Sequence, residues 1–452
     1  MDSKELFLKT NTKRLFFIAA LPGAISMLAS ALYGLFDGIF VGRILGDTAF
    51  AAINLAFPFV IINFALADMI AVGSAVPISI NLGKKLVREA NNIFTCACIL
   101  IVSTGALMGI FLYTMSPTMI RMMGAEGEIA ELAVQYIKVY AICSPIITMG
   151  FATDNYLRIS GKIKMSMWIN VLMSLSTAVL EFVFLFVLKL DIWGAALATC
   201  LCMIGAVLVA FSPFLRGRAV LKLCRPKFSF ALIKNIVSCG MPPFLSNIAG
   251  RITSISMNVV LLDMGGESAV SVYGILMYVG ELVQPIIYGL CDSVSPAIGY
   301  NWGAKRYDRV REIVKYCFIA SGLVSVFSTV LMLAIPKTLV RLFTENDSPE
   351  FMQMAVRALM IYSVAKLLQG ICFATQSYMT AVDRPFFATS ISVFSAFICP
   401  MILIFALYPL GLDGVWLNMP ITMALTFIMS MVFLLMFNRQ IKKIQKEEKA
   451  DV

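Results

Sequence analysis

Histidine is absent from this chain of 452 residues, and charged residues are scarce at 14% of the total. Without histidine the chain can build neither a histidine-ligated metal site nor a Ser-His-Asp catalytic triad. A soluble domain carries about 25% charged residues, so the shortage excludes an ordinary soluble enzyme and a disordered or nucleic-acid-binding class. The 11 cysteines lack the close-paired spacing of a metal site, which indicates that they pack between helices.

Apolar residues, in contrast, make up 60% of the chain and fall in runs that can each cross a hydrocarbon core of about 30 Å. Twelve such runs lie between charged or turn-rich breaks. The sequence therefore predicts an all-α membrane protein with twelve transmembrane helices. The predicted spans are 15–40, 50–75, 91–115, 130–153, 165–188, 192–214, 231–262, 269–295, 313–335, 351–376, 385–408 and 414–437.

Lysine and arginine are distributed unevenly over the loops between these spans. The N-terminus and every second loop hold 27 of the 36 basic residues, whereas the opposite loops hold 5. By the positive-inside rule, this bias predicts a multi-pass protein of the cell membrane with both termini in the cytoplasm. The net charge of +10 then reflects topology and contact with anionic lipid, without a nucleic acid partner.

The two halves of the sequence resemble each other with a shift of about 220 residues. Asn81 to Lys85 corresponds to Asn301 to Lys305, and Leu21-Pro22 corresponds to Pro242-Pro243. Each repeat contains six spans, so the halves insert with the same orientation and are related by a pseudo-twofold axis along the membrane normal. The predicted domains are an N-lobe (1–214), a cytoplasmic linker (215–230), a C-lobe (231–437) and a basic cytoplasmic tail (438–452).

Ionisable residues inside the spans are candidates for function, because each costs at least about 2.5 kcal/mol at the bilayer centre. The predicted N-lobe has Asp37, Asp68 and Glu181 but only one basic residue within its spans, Lys138. One lysine leaves two carboxylates without a counter-charge, and such groups must bind a cation, bind a proton or face water. The N-lobe is therefore the better candidate for ion coupling.

Four N-lobe side chains are predicted to converge in the outer half of the membrane. Asp37 and Glu181 lie near the outer ends of the first and fifth spans, and Thr199 lies close to the outer end of the sixth. Thr177 precedes Glu181 by four residues, so the two share one helical face. Two carboxylates and two hydroxyls form a cage of hard oxygen ligands suited to H⁺ or Na⁺, and neighbouring carboxylates can share a proton.

The predicted C-lobe has a second set of charges, which can balance one another. Glu281 and Asp292 are acidic, whereas Arg251 and Lys366 are basic. This composition predicts a structural ion-pair cluster in the second lobe rather than a free cation site.

Three stretches of the chain resemble motifs of the multidrug and toxic compound extrusion (MATE) family. They are Leu35 to Gly46 in the first span, Gly194 to Thr199 at the start of the sixth, and Asn301 to Arg306 after the eighth. The resemblance covers essentially the whole chain. It implies a two-lobed antiporter, not an enzyme, that exports drugs by alternating access in exchange for inward H⁺ or Na⁺ and needs no cofactor.

The resemblance also assigns roles to single residues. The first-helix aspartate and proline of the family correspond to Asp37 and Pro22, and a proline inside a helix favours a kink. The fifth-helix aspartate corresponds to Glu181, the asparagine one turn earlier to Thr177, and the sixth-helix threonine to Thr199. Glutamate and threonine at the fifth-helix positions depart from the usual pattern, which favours H⁺; a metal is expected only if Na⁺ binds at Asp37 and Glu181.

The sequence thus predicts a monomeric, cation-coupled exporter of bulky, amphipathic organic cations, because an acid-lined cavity attracts positive charge. Its 28 methionines and 33 phenylalanines offer adaptable apolar contacts for such substrates. Two alternatives stay open at this point. A lipid-linked oligosaccharide flippase would share the architecture but would need basic side chains in its cavity, and a polytopic membrane transferase would need a catalytic cluster in a loop.

Overall fold

The computed structural model describes residues 3–344 and 348–450, and the side chains of residues 35–43, 47 and 447–450 lie outside the described set. Every regular element within those residues is helical. The first half contains α1 (Ser3–Lys9), α2 (Thr12–Ile44), α3 (Asp47–Gly83), α4 (Val87–Met122), α5 (Gly127–Ile147), α6 (Met149–Ile159), α7 (Ile163–Phe182) and α8 (Ile192–Leu215). The second half contains α9 (Phe230–Asp292), α10 (Ser295–Gly303), α11 (Tyr307–Ala334), α12 (Pro336–Arg341), α13 (Pro349–Ala381), α14 (Pro385–Val393), α15 (Cys399–Leu407) and α16 (Gly411–Ala450).

Ten stretches of helix within the described residues are long and apolar enough to cross a membrane. Two of them are interrupted by a glycine with a positive φ, at Gly266 (φ +64°) and at Gly411 (φ +67°). Glycine adopts this conformation without steric cost, so the chain can leave the helical path there. Each interrupted stretch makes two passes, which gives the twelve passes that the sequence predicts and confirms the all-α membrane class.

Contacts across the two interruptions show that the chain folds back on itself. Met257 and Tyr273 lie on either side of Gly266 and belong to one cluster of buried apolar side chains, although a continuous helix would separate these residues by about 24 Å. After the second interruption, Asn418 Nδ2 donates to the Pro400 carbonyl oxygen at 2.9 Å. Both interruptions are therefore turns between antiparallel helices.

The repeat detected in the sequence recurs in local geometry. The Asn81 amide donates to the carbonyl of the residue four positions earlier at 2.9 Å, and the Asn301 amide does the same at 2.8 Å. Lys85 and Lys305, each four residues later, both have left-handed backbones with φ of 65° and 58°. In addition, α7 is followed by a π-helical segment (Val183–Val187), and α14 is followed by another (Phe394–Ile398). The correspondence between the halves therefore extends from side chains to unusual backbone conformations.

One compact unit comprises Met1–Asn11 and Leu21–Phe244. Within it, α3 and the first part of α9 cross with their backbones in contact at two glycines. A Cβ atom on Gly73 would lie 1.9 Å from the Ile236 carbonyl oxygen, and one on Gly240 would lie 1.8 Å from the Met69 carbonyl oxygen. Small residues at a crossing let membrane helices approach this closely. The crossing fixes the beginning of α9 within this unit.

The other compact unit comprises Thr12–Ala20 and Leu245–Val452. The beginning of α2 is held within it, since Thr12 Oγ1 donates to Glu312 Oε2 at 2.6 Å and the Phe16 and Tyr316 rings lie 5.9 Å apart. The sequence-based lobes kept the first and seventh spans whole, whereas the compact units divide α2 after Ala20 and α9 after Phe244.

Candidate ion-coupling site

The buried face of α7 carries the two predicted fifth-span residues. Glu181 is 0% exposed and Thr177, one turn earlier, is 2% exposed. The Thr177 hydroxyl donates to the Met173 carbonyl oxygen at 2.7 Å, which leaves its lone pairs available as acceptors. Two residues after Glu181 the helix changes to its π-helical segment, a type of irregularity that is frequent at functional sites. A carboxylate is thus held out of solvent at the end of a transmembrane helix.

A hydrogen bond joins α2 to α8 within the same compact unit. The Tyr33 hydroxyl lies 2.8 Å from Thr199 Oγ1. Sequence reasoning identified Thr199 but missed Tyr33, although the spacing gives a signal, because Tyr33 precedes Asp37 by one helical turn and shares its face. The Asp37 side chain lies outside the described residues, so the structure places only its helical backbone.

Helices α7 and α8 meet through the faces that carry Thr177 and Thr199. The Cys202 thiol on α8 lies beside the Thr177 hydroxyl on α7. Cys202 follows Thr199 by three residues, so both project from one face of α8. The structure therefore brings the two predicted threonines to one helix interface, with Glu181 one turn from the first and Tyr33 bonded to the second.

A second polar network lies nearer the N-terminal end of α7, and the sequence analysis did not predict it. Asp154 Oδ2 pairs with an Arg158 guanidinium nitrogen at 2.7 Å, and Asp154 Oδ1 accepts hydrogen bonds from Ser166 and, at 2.8 Å, from Asn170. The predicted fourth span ended at residue 153 and assigned Arg158 to a loop, whereas α6 continues to Ile159 and buries that arginine. Ser166 and Asn170 lie on α7 at helical spacing from Thr177, and this polar stripe was visible in the sequence.

The charges predicted for the C-lobe are brought together in part. Lys366 is 4% exposed, its amine donates to Gln369 Oε1 at 2.8 Å, and it lies 5.0 Å from the centre of the Tyr362 ring. Glu281 interacts electrostatically with Lys366. Asp292, further along α9, accepts a hydrogen bond from the Ser377 hydroxyl at 2.8 Å. The second part of α9 and α13 therefore meet along polar faces.

Arg251 stands apart from that group. Its side chain is exposed on the first part of α9, and no contact among the described residues links it to Lys366, Glu281 or Asp292. In the first half, the Lys138 amine lies 5.3 Å from the centre of the Tyr113 ring. Asp68, which the sequence also singled out, is half-buried on α3.

The chemistry available at the α2–α7–α8 site is that of hydroxyls and a buried carboxylate. Within the described part of the chain, no group of three His, Cys, Asp or Glu side chains could hold a metal ion. A buried carboxylate on a membrane helix can take up and release a proton, and its burial makes the ionised form costly unless a cation is bound. Proton or monovalent cation binding is therefore the reaction that this geometry supports.

Comparison with known proteins agrees with this architecture. The family model MatE matches residues 22–183 and 242–406, two segments that begin 220 residues apart, as the internal repeat requires. Multidrug export protein MepA from Staphylococcus aureus (strain MSSA476) is 27% identical over 420 residues, which is 91% of each chain. A crystallised MATE protein in complex with MaL6 superposes with a TM-score of 0.91 at 24% identity, over 99% of this chain and 100% of that one. An outward-facing multidrug resistance MATE transporter of the MOP superfamily gives a TM-score of 0.90 at 24% identity over 99% of each chain.

Proposed function

The chain belongs to the MatE family, and from this membership we propose that it exports amphipathic organic cations across the cell membrane in exchange for inward H⁺. It is a multi-pass membrane transporter, and the similar MepA protein carries the name of a multidrug exporter. The protein acts as a monomer without a cofactor, and the coupling ion is its only obligatory co-substrate.

The proposed coupling mechanism depends on the burial of the Glu181 carboxylate. Glu181 is completely buried on a transmembrane helix, where an ionised carboxylate is expensive unless a cation neutralises it. Binding of H⁺ removes the charge, and loss of H⁺ restores a negative charge that attracts an organic cation. Proton and drug therefore compete for one site, which is the requirement for exchange. Asp37, one turn from Tyr33 on α2, is the second carboxylate of this site.

The side chains near Glu181 favour H⁺ over Na⁺ as the coupling ion. A metal ion needs several oxygen ligands at once, and the family's fifth-helix asparagine would supply an amide carbonyl where this chain has Thr177. The Thr177 hydroxyl donates to the Met173 carbonyl, so it offers a single hydroxyl oxygen in place of the amide carbonyl. The Tyr33 and Thr199 hydroxyls hydrogen-bond each other, so they can relay a proton without the geometry of a metal cage.

Alternating access requires helices that can bend. A single proline in α2 and a pair of prolines in α9 lie close to the points where the compact units divide these helices. Pro22 follows the division of α2 after Ala20, and Pro242-Pro243 precede the division of α9 after Phe244. Proline removes a backbone hydrogen bond and weakens a helix at that point. We assign to both positions the bending that changes access to the site, and we place both termini in the cytoplasm on the distribution of lysine and arginine.

Transport in proteoliposomes tests this function directly. Purified protein is reconstituted with no other component, and movement of a fluorescent cationic dye is followed under a pH gradient alone and under a Na⁺ gradient alone. Wild type, Asp37→Asn and Glu181→Gln are compared with Glu128→Gln, which changes an exposed acid at the beginning of α5. We expect wild type and Glu128→Gln to move the dye under the pH gradient, and the two site variants to lose this movement.

Other outcomes have defined meanings. Movement under the Na⁺ gradient alone would show that Glu181 and Thr177 still form a metal cage, against the proton assignment. Movement by Glu181→Gln at the wild-type rate would remove this carboxylate from the coupling mechanism. No movement under either gradient would contradict cation export and favour a lipid-linked or uncharged substrate.

A further inference from the structure

A cavity of about 630 Å³ lies within the first compact unit, away from the ion-coupling site. Its walls come from the short helix α1, the beginning of α4, the loop between α6 and α7, and the non-helical segment that follows α8. The residues that line it include Ser3, Asn91, Ser160, Lys162, Arg218 and Lys222. All of these elements lie on the side of the unit to which the sequence assigns its basic loops.

Hydrogen bonds hold the segment that follows α8 along the beginning of α4. Asn92 makes two hydrogen bonds to the backbone of Lys227, donating to its carbonyl oxygen at 3.1 Å and accepting from its amide nitrogen at 2.7 Å. Asn91 Oδ1 accepts from the Lys222 amide nitrogen at 2.9 Å. These contacts hold the backbone that carries Arg218 and Lys222, so their side chains are presented to the cavity from a defined wall.

Two buried hydroxyls among the lining residues have no hydrogen-bond partner among the described residues. They belong to Ser3 and Ser160, which are 1% and 6% exposed and both line the cavity. Helix α1 is packed tightly here, since a Cβ atom on Gly161 would lie 3.2 Å from Ser3 Cα. A buried hydroxyl left without a partner is unfavourable, so these two hydroxyls favour an acceptor that enters the cavity.

The charge of the lining identifies the acceptor as an anion. Lys162, Arg218 and Lys222 contribute positive charges, and no acidic residue is among the described residues that line the cavity. The sequence itself contains no Asp or Glu between Asp191 and Asp263. Two ammonium groups, a guanidinium group and hydroxyl donors together match the several oxygen acceptors of a phosphate group.

We propose that this cavity binds a phosphate group, supplied either by the headgroup of an anionic phospholipid or by free phosphate. The cavity lies where α4 and α7 begin and α6 and α8 end, so the ends of these transmembrane helices bring it to the membrane surface. A bound phosphate there holds the segment after α8 against α1 and the α6–α7 loop. The site is separate from ion coupling and does not require that the protein transports protons.

Ligand-dependent thermal stabilisation of the full-length protein in detergent tests the site. The added ligands are dioctanoyl phosphatidylglycerol, dioctanoyl phosphatidylcholine and inorganic phosphate, each titrated separately. Arg218→Gln/Lys222→Gln and Ser160→Ala remove groups that line the cavity. The matched control is Arg225→Gln/Lys227→Gln, which removes the same charge from the same segment at residues that do not line it. The backbone hydrogen bonds of Lys227 remain in this control.

We expect phosphatidylglycerol to stabilise the wild type and the control pair at similar concentrations. Each lost charge-assisted hydrogen bond should weaken binding about tenfold, so the Arg218/Lys222 pair should bind at least tenfold more weakly and Ser160→Ala by a smaller factor. Equal stabilisation by inorganic phosphate would support the site and identify free phosphate as its ligand. Equal loss in the control pair would show diffuse attraction to a basic surface, and would overturn the proposal, as would stabilisation by phosphatidylcholine alone.

Discussion

At the level of single residues, the candidate ion-coupling site combines features that follow from local sequence with a contact between residues that are distant in sequence. The burial of Glu181 follows from its place in an apolar span, and its one-turn spacing from Thr177 follows from helix geometry. The bond between Tyr33 and Thr199 joins residues 166 positions apart, and no local pattern in one sequence reports such a pairing. The sequence therefore identifies the acid, and the one-turn spacing from Asp37 is a signal for Tyr33, whereas only the folded chain shows that Tyr33 pairs with Thr199.

The first prediction concerns the hydrogen bond between Tyr33 and Thr199. Tyr33→Phe and Thr199→Val should affect the free energy of unfolding non-additively, with a coupling of about 0.6 kcal/mol, the typical size for a hydrogen bond inside a membrane protein. Unfolding of the single and double variants in mixed detergent micelles measures this coupling. Tyr33→Phe combined with Thr114→Val, which changes an exposed hydroxyl, is the control and should be additive. Additive effects for the first pair would mean that its bond contributes nothing.

The second prediction concerns the buried ion pair of Asp154 and Arg158. Arg158 is 4% exposed and Asp154 is 21% exposed. Asp154→Ala leaves the buried guanidinium without its counter-charge and should lower the free energy of unfolding by about 3 kcal/mol, and Arg158→Ala should lower it by less. The exposed pair of Glu5 and Lys9 offers a control, and Glu5→Ala should cost less than about 1 kcal/mol. The same micelle unfolding experiment measures all three. A similar small loss at both pairs would contradict the burial of Arg158.

At the scale of secondary-structure elements, the crossing of α3 and α9 gives the third prediction. Gly73→Ala would place a methyl group against the Ile236 backbone, so we expect a loss of about 1–3 kcal/mol in the free energy of unfolding. Gly205→Ala is the matched control, because that glycine lies in α8 with no atom near its Cβ position. The control should be neutral or up to about 1 kcal/mol more stable, since alanine favours a helix. If both variants had the same stability, the close crossing would be wrong.

The elements themselves were predictable where hydropathy determines them. The predicted gap between residues 262 and 269 contains Gly266, at which α9 is interrupted, because a turn interrupts both the apolar run and the helical backbone. The fourth span was ended too early, since Asp154 and Arg158 look like loop residues until their mutual pairing is known. The division of α2 after Ala20 was also missed, because it depends on contacts with α11 that are distant in sequence.

At the scale of the whole molecule, the bias of basic residues predicts which side of the membrane each loop occupies. Among the cysteines that the structure describes, Cys224 is exposed, and the others are buried or half-buried. The fourth prediction is that a membrane-impermeant maleimide labels Cys224 in inside-out vesicles and spares it in right-side-out vesicles. Cys224→Ser/Met122→Cys moves the exposed thiol to an opposite loop, where Met122 is 82% exposed. This variant should show the reverse pattern; labelling of Cys224 from outside would contradict the orientation.

The central claim for the whole molecule is that proton and drug compete at the carboxylate of Glu181. Proton release on substrate binding tests this claim without a membrane gradient. A fluorescence-silent cationic substrate is added to the detergent-solubilised protein in weak buffer, and a pH indicator reports the protons released. We predict about one proton released per substrate bound to the wild type, and none from Glu181→Gln. Equal proton release from both proteins would contradict the account.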